Sequence, residues 1–233
     1  MKILGIESSS VCASCAIFDD DKMLAEYSQC HKNTHSEKLM PMVIRVLEDA
    51  KMEVEDIDYI AISKGPGSYT GLRIGAAIAK GLALAKNIDI VAPKSMEVLA
   101  MNVSSSSNFI VAITDANKGR CYAGIYKIGE EFEVVVEQNA YEIKDFIEIV
   151  NNLDTEIVLV GDCVHNNREY FENELKIKYK IAKYSDSVLK ASSVCNRALQ
   201  MIEKGDIEDR MKFAPSYLRP SQAERMRDER NKN

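Results

Sequence analysis

The sequence predicts an α/β protein in which one unit is used twice. Each copy is a mixed sheet with an antiparallel hairpin edge and helices over its faces. Two observations carry this prediction. The order strand, strand, strand, helix, strand, helix runs through residues 1–103 and then again through residues 108–210. The 233 residues are 46% hydrophobic and 28% charged, enough to bury a core in one large or two small domains.

In the first half, residues 2–6 form an apolar run stopped by "ESSS". Residues 11–18 and 23–28 flank the acidic turn "DDDK", which gives three strands joined by short turns. Thr34, with Glu37 three residues on, fits a capping box. Leu39, Val43, Val46, Leu47 and Ala50 then repeat at helical spacing, with Pro41 expected to kink that helix or mark its start. Residues 59–63 are a short strand. A glycine turn follows, then a helix over 72–85, a strand over 89–92 and a helix capped by Ser95 that runs to about residue 103.

"SSSS", residues 104–107, reads as a linker. In the second half, strands are expected at 108–115, 121–128 and 132–138, a helix at 143–151, a strand at 156–161 and a helix at 168–175. A strand at 180–182 and a long helix at 187–204 complete it. Residues 211–233 form a charged tail, expected to be disordered or a solvated helix after Leu218.

Composition excludes several function classes. The net charge is -6, whereas phosphate binding needs a cluster of Lys and Arg, so the chain is not expected to hold nucleic acid alone. Aromatic residues are 7% and Trp is absent, so no base-stacking platform stands out. The first residues carry Glu7 and no long apolar core, unlike a signal peptide, and no run is long enough to span a membrane. Six scattered cysteines complete the expectation of a reduced, cytoplasmic protein.

The stretch "ISKGPGSYTGLRIGAAIAKGLALA", residues 62–85, raises the central question. It matches neither G-x-x-x-x-G-K-[ST] nor G-x-G-x-x-G. What remains is a strand, a glycine turn and a helix N-terminus. Gly65, Gly67, Ser68, Thr70, Gly71 and Arg73 are therefore candidates for anion or nucleotide binding, against a plain tight turn. Gly71, Gly75, Ala79 and Ala83 recur every fourth residue, which suggests close approach of another backbone: the chain's own sheet or a partner's helix. Ile74, Ile78, Leu82 and Ala85 extend the apolar surface beyond one core face.

Other candidates carry simpler alternatives. His31 and His35 in "HKNTH" have the spacing of a metal pair, but His31 precedes the expected cap, and surface histidines are the simpler reading. Cys12 and Cys15 in "CASC" lie in a strand and so face opposite sides, unlike a redox pair that opens a helix. His165 beside Asp162 and Cys163 has nothing visible to position it as a catalytic partner. Glu7 and Asp115 end the first strand of each half, where metal or phosphate chemistry would sit in a duplicated fold. They read equally well as exposed loop acids.

The segments "ILGIESSS", "HSEKLMPMV", "ISKGPGSYTGLRIGAAIAKGLALA", "DANKGRCYAGIY" and "PSYLRP" resemble, in this order, the TsaB (YeaZ) family over nearly the whole chain. The resemblance implies the duplicated actin-like, Hsp70-like and sugar-kinase-like (ribonuclease H-like) fold, two βββαβα units. It implies a non-catalytic subunit required for threonylcarbamoyl transfer to the adenosine beside the anticodon of tRNA. TsaD performs the transfer, TsaE is an ATPase of the same system, and tRNA is met only through the complex.

The resemblance further implies no catalytic residue, no metal ligand and no cofactor of the chain's own. It leaves room for ATP or ADP at the complex interface and for a homodimer when the chain is alone. The helices starting near His35 and at Leu72 would meet TsaD, through Leu39, Val43, Val46, Leu72, Gly75, Ile78, Ala79 and Leu82. The family often carries Asp where this chain has Glu7. The competing classes are a nucleotide-binding enzyme of the sugar-kinase type and a metallopeptidase. The first needs a second glycine-rich phosphate loop, and the second needs a metal set that three histidines do not supply.

Overall fold

A computed structural model of the chain describes residues 1–30, 35–103 and 109–218. The Thr34 cap, His31 and the "SSSS" linker lie outside the described residues, as does the tail beyond residue 218. The first sheet holds β1 (Lys2–Glu7), β2 (Ala13–Asp19), β3 (Lys22–Gln29), β4 (Tyr59–Ile62) and β5 (Asp89–Val91), in the order β3-β2-β1-β4-β5. β1 pairs antiparallel with β2 and parallel with β4. It is central and buried on both faces, which is why it reads as an unbroken apolar run.

The second sheet repeats this arrangement. β6 (Phe109–Asp115), β7 (Arg120–Ile128), β8 (Phe132–Glu142), β9 (Ile157–Val160) and β10 (Tyr179–Ile181) lie in the order β10-β9-β6-β7-β8. β6 pairs antiparallel with β7 and parallel with β9, as β1 does with β2 and β4.

Helices and sheets alternate in five layers. Outside the first sheet lie α1 (His35–Ala50) and α2 (Tyr69–Lys86), whose Leu39, Val43, Val46, Ala79 and Ala83 share a core with Leu4, Ile6 and Ile60. Between the sheets lie α3 (Ser95–Ala100) and α7 (Ala191–Glu203), packed against residues of both. Outside the second sheet lie α4 (Ile143–Asn151), α5 (Asp162–Asn166) and α6 (Arg168–Glu174).

Several expectations need correction. The cut at 103/108 separates the strands of the two sheets but not the helices, because α7 closes a face of the first sheet. The opening residues of the 211–233 tail dock on the chain. Phe213 is buried in the first core, and Ser216 N donates to Lys64 O at 2.7 Å. Ser95 is the first helical residue of α3 rather than its cap, and its N–H is taken by Gly65 O at 2.9 Å. Pro41 lies inside α1 and does not start it. α5 was not foreseen.

The cysteines are not all reduced: Cys12 and Cys30 form a disulfide. The β2–β3 register pairs Ala13 with Gln29, so Cys12 and Cys30 are the next facing positions.

Candidate functional site

The glycine turn, the end of β1 and the start of α3 converge on the Ser8–Ser10 turn. Glu7 Oε1 accepts from Ser9 N and Ser9 Oγ, each at 2.6 Å, and Oε2 accepts from Ser63 Oγ on β4's end. The Glu7 side chain is wholly buried. Burial pushes its carboxyl above the ordinary value, while the Ser63 and Ser9 hydrogen bonds and the nearby His35 pull it back. Glu7 is therefore an internal brace, not an exposed loop acid.

The glycines answer to the chain itself. A Cβ at Gly67 would sit 2.2 Å from Ser9 O, one at Gly71 2.0 Å from Ser8 O, and one at Gly75 2.2 Å from Ser8 Oγ. Ser68 N donates to Ser9 O at 2.6 Å, and Ser8 Oγ donates to Gly71 O at 2.9 Å. His35 Nε2 lies 2.8 Å from Ser10 O. Gly65, at φ +108°, offers its carbonyl to Ser95 N and to Gln138 Nε2 of β8, the latter at 3.0 Å, which ties in the second half.

Part of the anion-binding set makes internal contacts. Ser68 Oγ caps Gly71 N at 3.2 Å, and Ser68 N is held by Ser9. Arg73 lies over the Tyr69 ring at 4.2 Å and donates to Tyr217 Oη at 3.4 Å, so the C-terminal segment covers this corner. Gly65 and Gly67 serve the close approach, and Thr70 is exposed beside them.

The partner set divides. Leu39, Val43, Val46, Leu72, Gly75 and Ala79 are buried in the chain's own core and are not a docking surface, because α1 and α2 need those faces to cover the sheet. Ile78 and Leu82 are half-buried. The outer side of α2 instead exposes Ala77, Gly81, Leu84 and Ala85, with Ile44 exposed on α1. Sequence periodicity found the apolar helix but could not tell which stripe the sheet takes.

In the second half, Asp115 is exposed, accepts from Asn117 N at 2.7 Å, and donates its own N–H to Asp162 Oδ1 at 3.0 Å. His165 Nε2 meets Ser187 Oγ at 3.0 Å, whereas Cys163 is buried with its thiol pushed up and Asn167 as its neighbour. They do not form a catalytic pair. An open cavity of about 680 Å³, lined by His165, Arg168, Glu172, Tyr179 and Tyr184, lies beside them and had no sequence signal. Among the described residues no group of three His, Cys, Asp or Glu could hold a metal, and no helix is long and apolar enough to cross a membrane.

Glu7 gives a pH prediction. Its folded carboxyl titrates above the unfolded one, so its share of stability is complete below about pH 4.5 and is lost as pH rises through the folded titration. Glu7→Gln removes that dependence while keeping a polar side chain of the same length. In urea unfolding series, the variant is expected to gain on the wild type as pH rises above 4.5. Parallel curves across the whole range would show that Glu7 is not so perturbed.

Residues 27–226 match the family model described as TsaD: tRNA N6-adenosine threonylcarbamoyltransferase. The tRNA threonylcarbamoyladenosine biosynthesis protein TsaB of Bacillus subtilis is 33% identical, over 96% of this chain and 96% of that one. YeaZ from Pseudomonas aeruginosa superposes with a TM-score of 0.80 at 20% identity, covering 93% of this chain and 99% of that one. Component A of the Acidaminococcus fermentans (R)-2-hydroxyglutaryl-CoA dehydratase superposes at 0.51 with 12% identity, over 88% and 99%. The fold is the duplicated actin-like one, and the expected βββαβα order is extended in each half by a further strand and helix, so that each sheet has five strands.

Proposed function

This chain belongs to the TsaB (YeaZ) family of tRNA threonylcarbamoyladenosine biosynthesis proteins, and from that premise we propose that it is the non-catalytic partner subunit of the transfer step. It docks TsaD, which moves the threonylcarbamoyl group, and it works with TsaE. It meets tRNA through that complex. The observation that carries the docking half is the outer side of α2, where Ala77, Gly81 and Leu84 are exposed on a helix whose inner stripe already serves the sheet. The same face is offered to a second copy when TsaD is absent. Two donors of the glycine turn, Ser68 N and Gly71 N, are taken by the chain itself, and we assign ATP or ADP to the complex interface.

Reconstitution of tRNA modification with and without this chain tests the role. Product is expected only when TsaD, TsaE and this chain are together, with none from this chain alone. Full modification in its absence would refute the requirement.

A variant tests the surface. Ala77→Arg places bulk and charge on the exposed side without touching the core. It should weaken TsaD binding about tenfold or more, a loss of about 1.4 kcal/mol, with unchanged melting. Wild-type affinity in calorimetry would move the docking site elsewhere.

A further inference from the structure

Six cysteines divide into two chemical classes in this fold. Cys15, Cys121, Cys163 and Cys195 are buried, free thiols. Burial pushes Cys15 and Cys121 up to about 12 and raises Cys163 and Cys195 as well, so none is available as a thiolate. Cys12 and Cys30 differ. They face one another at the open end of the β2–β3 hairpin and are joined in a disulfide. Cys12 is nearly buried, 7% exposed, whereas Cys30 is exposed. One sulfur of the pair is thus open to attack, and the other is the shielded leaving group.

The pair sits beside the turn on which the site rests. Cys12 N donates to Ser10 Oγ at 3.2 Å, and Ser10 Oγ donates to Cys12 O at 3.2 Å. Ser10 O holds His35, the first residue of α1, and Ser9 O holds Ser68 at the start of α2. Four residues, 31–34, join Cys30 to His35 along the chain.

We propose that Cys12 and Cys30 are a reversible thiol–disulfide modification site, opened by small thiols of the glutathione class at Cys30, which sets how firmly the Ser8–Ser10 turn holds α1 and α2. A small thiolate attacks the Cys30 sulfur. The S–S bond breaks, and its electron pair leaves on the Cys12 sulfur, which takes up a proton. A second small thiol attacks the mixed disulfide, releasing the small disulfide and the Cys30 thiol. In sum, the protein disulfide and two small thiols give the protein dithiol and one small disulfide. Re-oxidation is the reverse exchange, with the small disulfide as oxidant. The effect on docking rests on the partner reading above; the exchange chemistry does not.

The whole chain is equilibrated in glutathione buffers from oxidising to reducing, trapped with an alkylating reagent and mapped by mass spectrometry. Cys12 and Cys30 should cycle together while the four buried thiols stay unlabelled. Hydrogen exchange should show residues 8–14 and the first turn of α1 losing protection on reduction. Cys30→Ser, at an exposed position, should give the reduced pattern in both buffers. Thiols at 12 and 30 that stay free in excess oxidised glutathione, or exchange that is identical in the two states, would overturn the proposal.

TsaD affinity is then measured in both states. A difference of about fivefold or more, absent in Cys30→Ser, supports the link to docking, and equal affinities refute it. Binding absent from both states strikes the partner reading, and the exchange data still decide the site.

Discussion

Arg197→Met is expected to cost the fold about 3–5 kcal/mol, because it strands a buried carboxylate. Arg197 of α7 donates from Nε to Glu97 Oε2 of α3 at 2.8 Å, and the side chains are only 13% and 7% exposed. The two helices form the middle layer between the sheets, and Arg197 also lies 4.1 Å over the Phe132 ring of β8. Burial raises the Glu97 carboxyl, and the Arg197 charge works against that rise. Without Arg197 only burial and the distant Lys94 and Glu137 remain to set it.

The pH dependence of that loss has a definite sign. A carboxyl raised further in the folded state contributes fully below the unfolded value, near 4.5, and loses its share as pH rises. The gap between wild type and Arg197→Met should therefore widen above that pH and narrow below it. Near neutral pH the melting temperature should fall by roughly 10 °C. Adding Glu97→Leu removes the stranded charge and should restore most of the loss, since an apolar pair often replaces a buried ion pair at little cost. Unchanged melting of the single variant, or a double variant no better than the single, would show that the pair is not coupled as the geometry implies.

Element order was legible because period and punctuation carry it. Residues 143–151 were read as a helix with the bounds that α4 shows. The apolar stripe of Leu39, Val43 and Val46 was found too, but hydrophobic spacing marks a face to be covered without saying what covers it; here the first sheet does. α2 is apolar around much of its circumference because its inner stripe packs on the sheet and its outer side still carries Ala77, Leu84 and Ala85.

The rest depended on pairings remote in sequence. The Cys12–Cys30 link needs the β2–β3 register. The hold of Gln138 on Gly65 crosses from one half to the other. The docked 213–217 segment reads as tail because the chain after Leu218 is densely charged, although these five residues carry no charge and Phe213 is buried. Composition records such charge, whereas burial of a single aromatic ring is decided by the cavity waiting for it.

Two glycines of α2 should respond to alanine with opposite signs. Within a helix, glycine to alanine gains about 0.5–1 kcal/mol when nothing else changes. Gly81 meets that condition: a Cβ there has nothing within 4 Å, and the residue is exposed. Gly81→Ala should therefore raise the melting temperature. Gly71 does not meet it. Its Cβ would lie 2.0 Å from Ser8 O, a backbone atom anchored by β1, and 3.0 Å from the His35 ring.

The Ser8 carbonyl cannot step aside without moving the turn that also carries the Glu7–Ser9 and Ser68–Ser9 bonds. Overpacking of this kind costs about 1–3 kcal/mol and outweighs the helical gain, so Gly71→Ala should melt lower than wild type. The pair also separates core from docking face on one helix. If TsaD approaches the outer side of α2 closely, Gly81→Ala should bind it more weakly even as it melts higher. A Gly71→Ala chain as stable as wild type would refute the close approach at Ser8. A Gly81→Ala chain that binds TsaD normally would place the interface off that side of the helix.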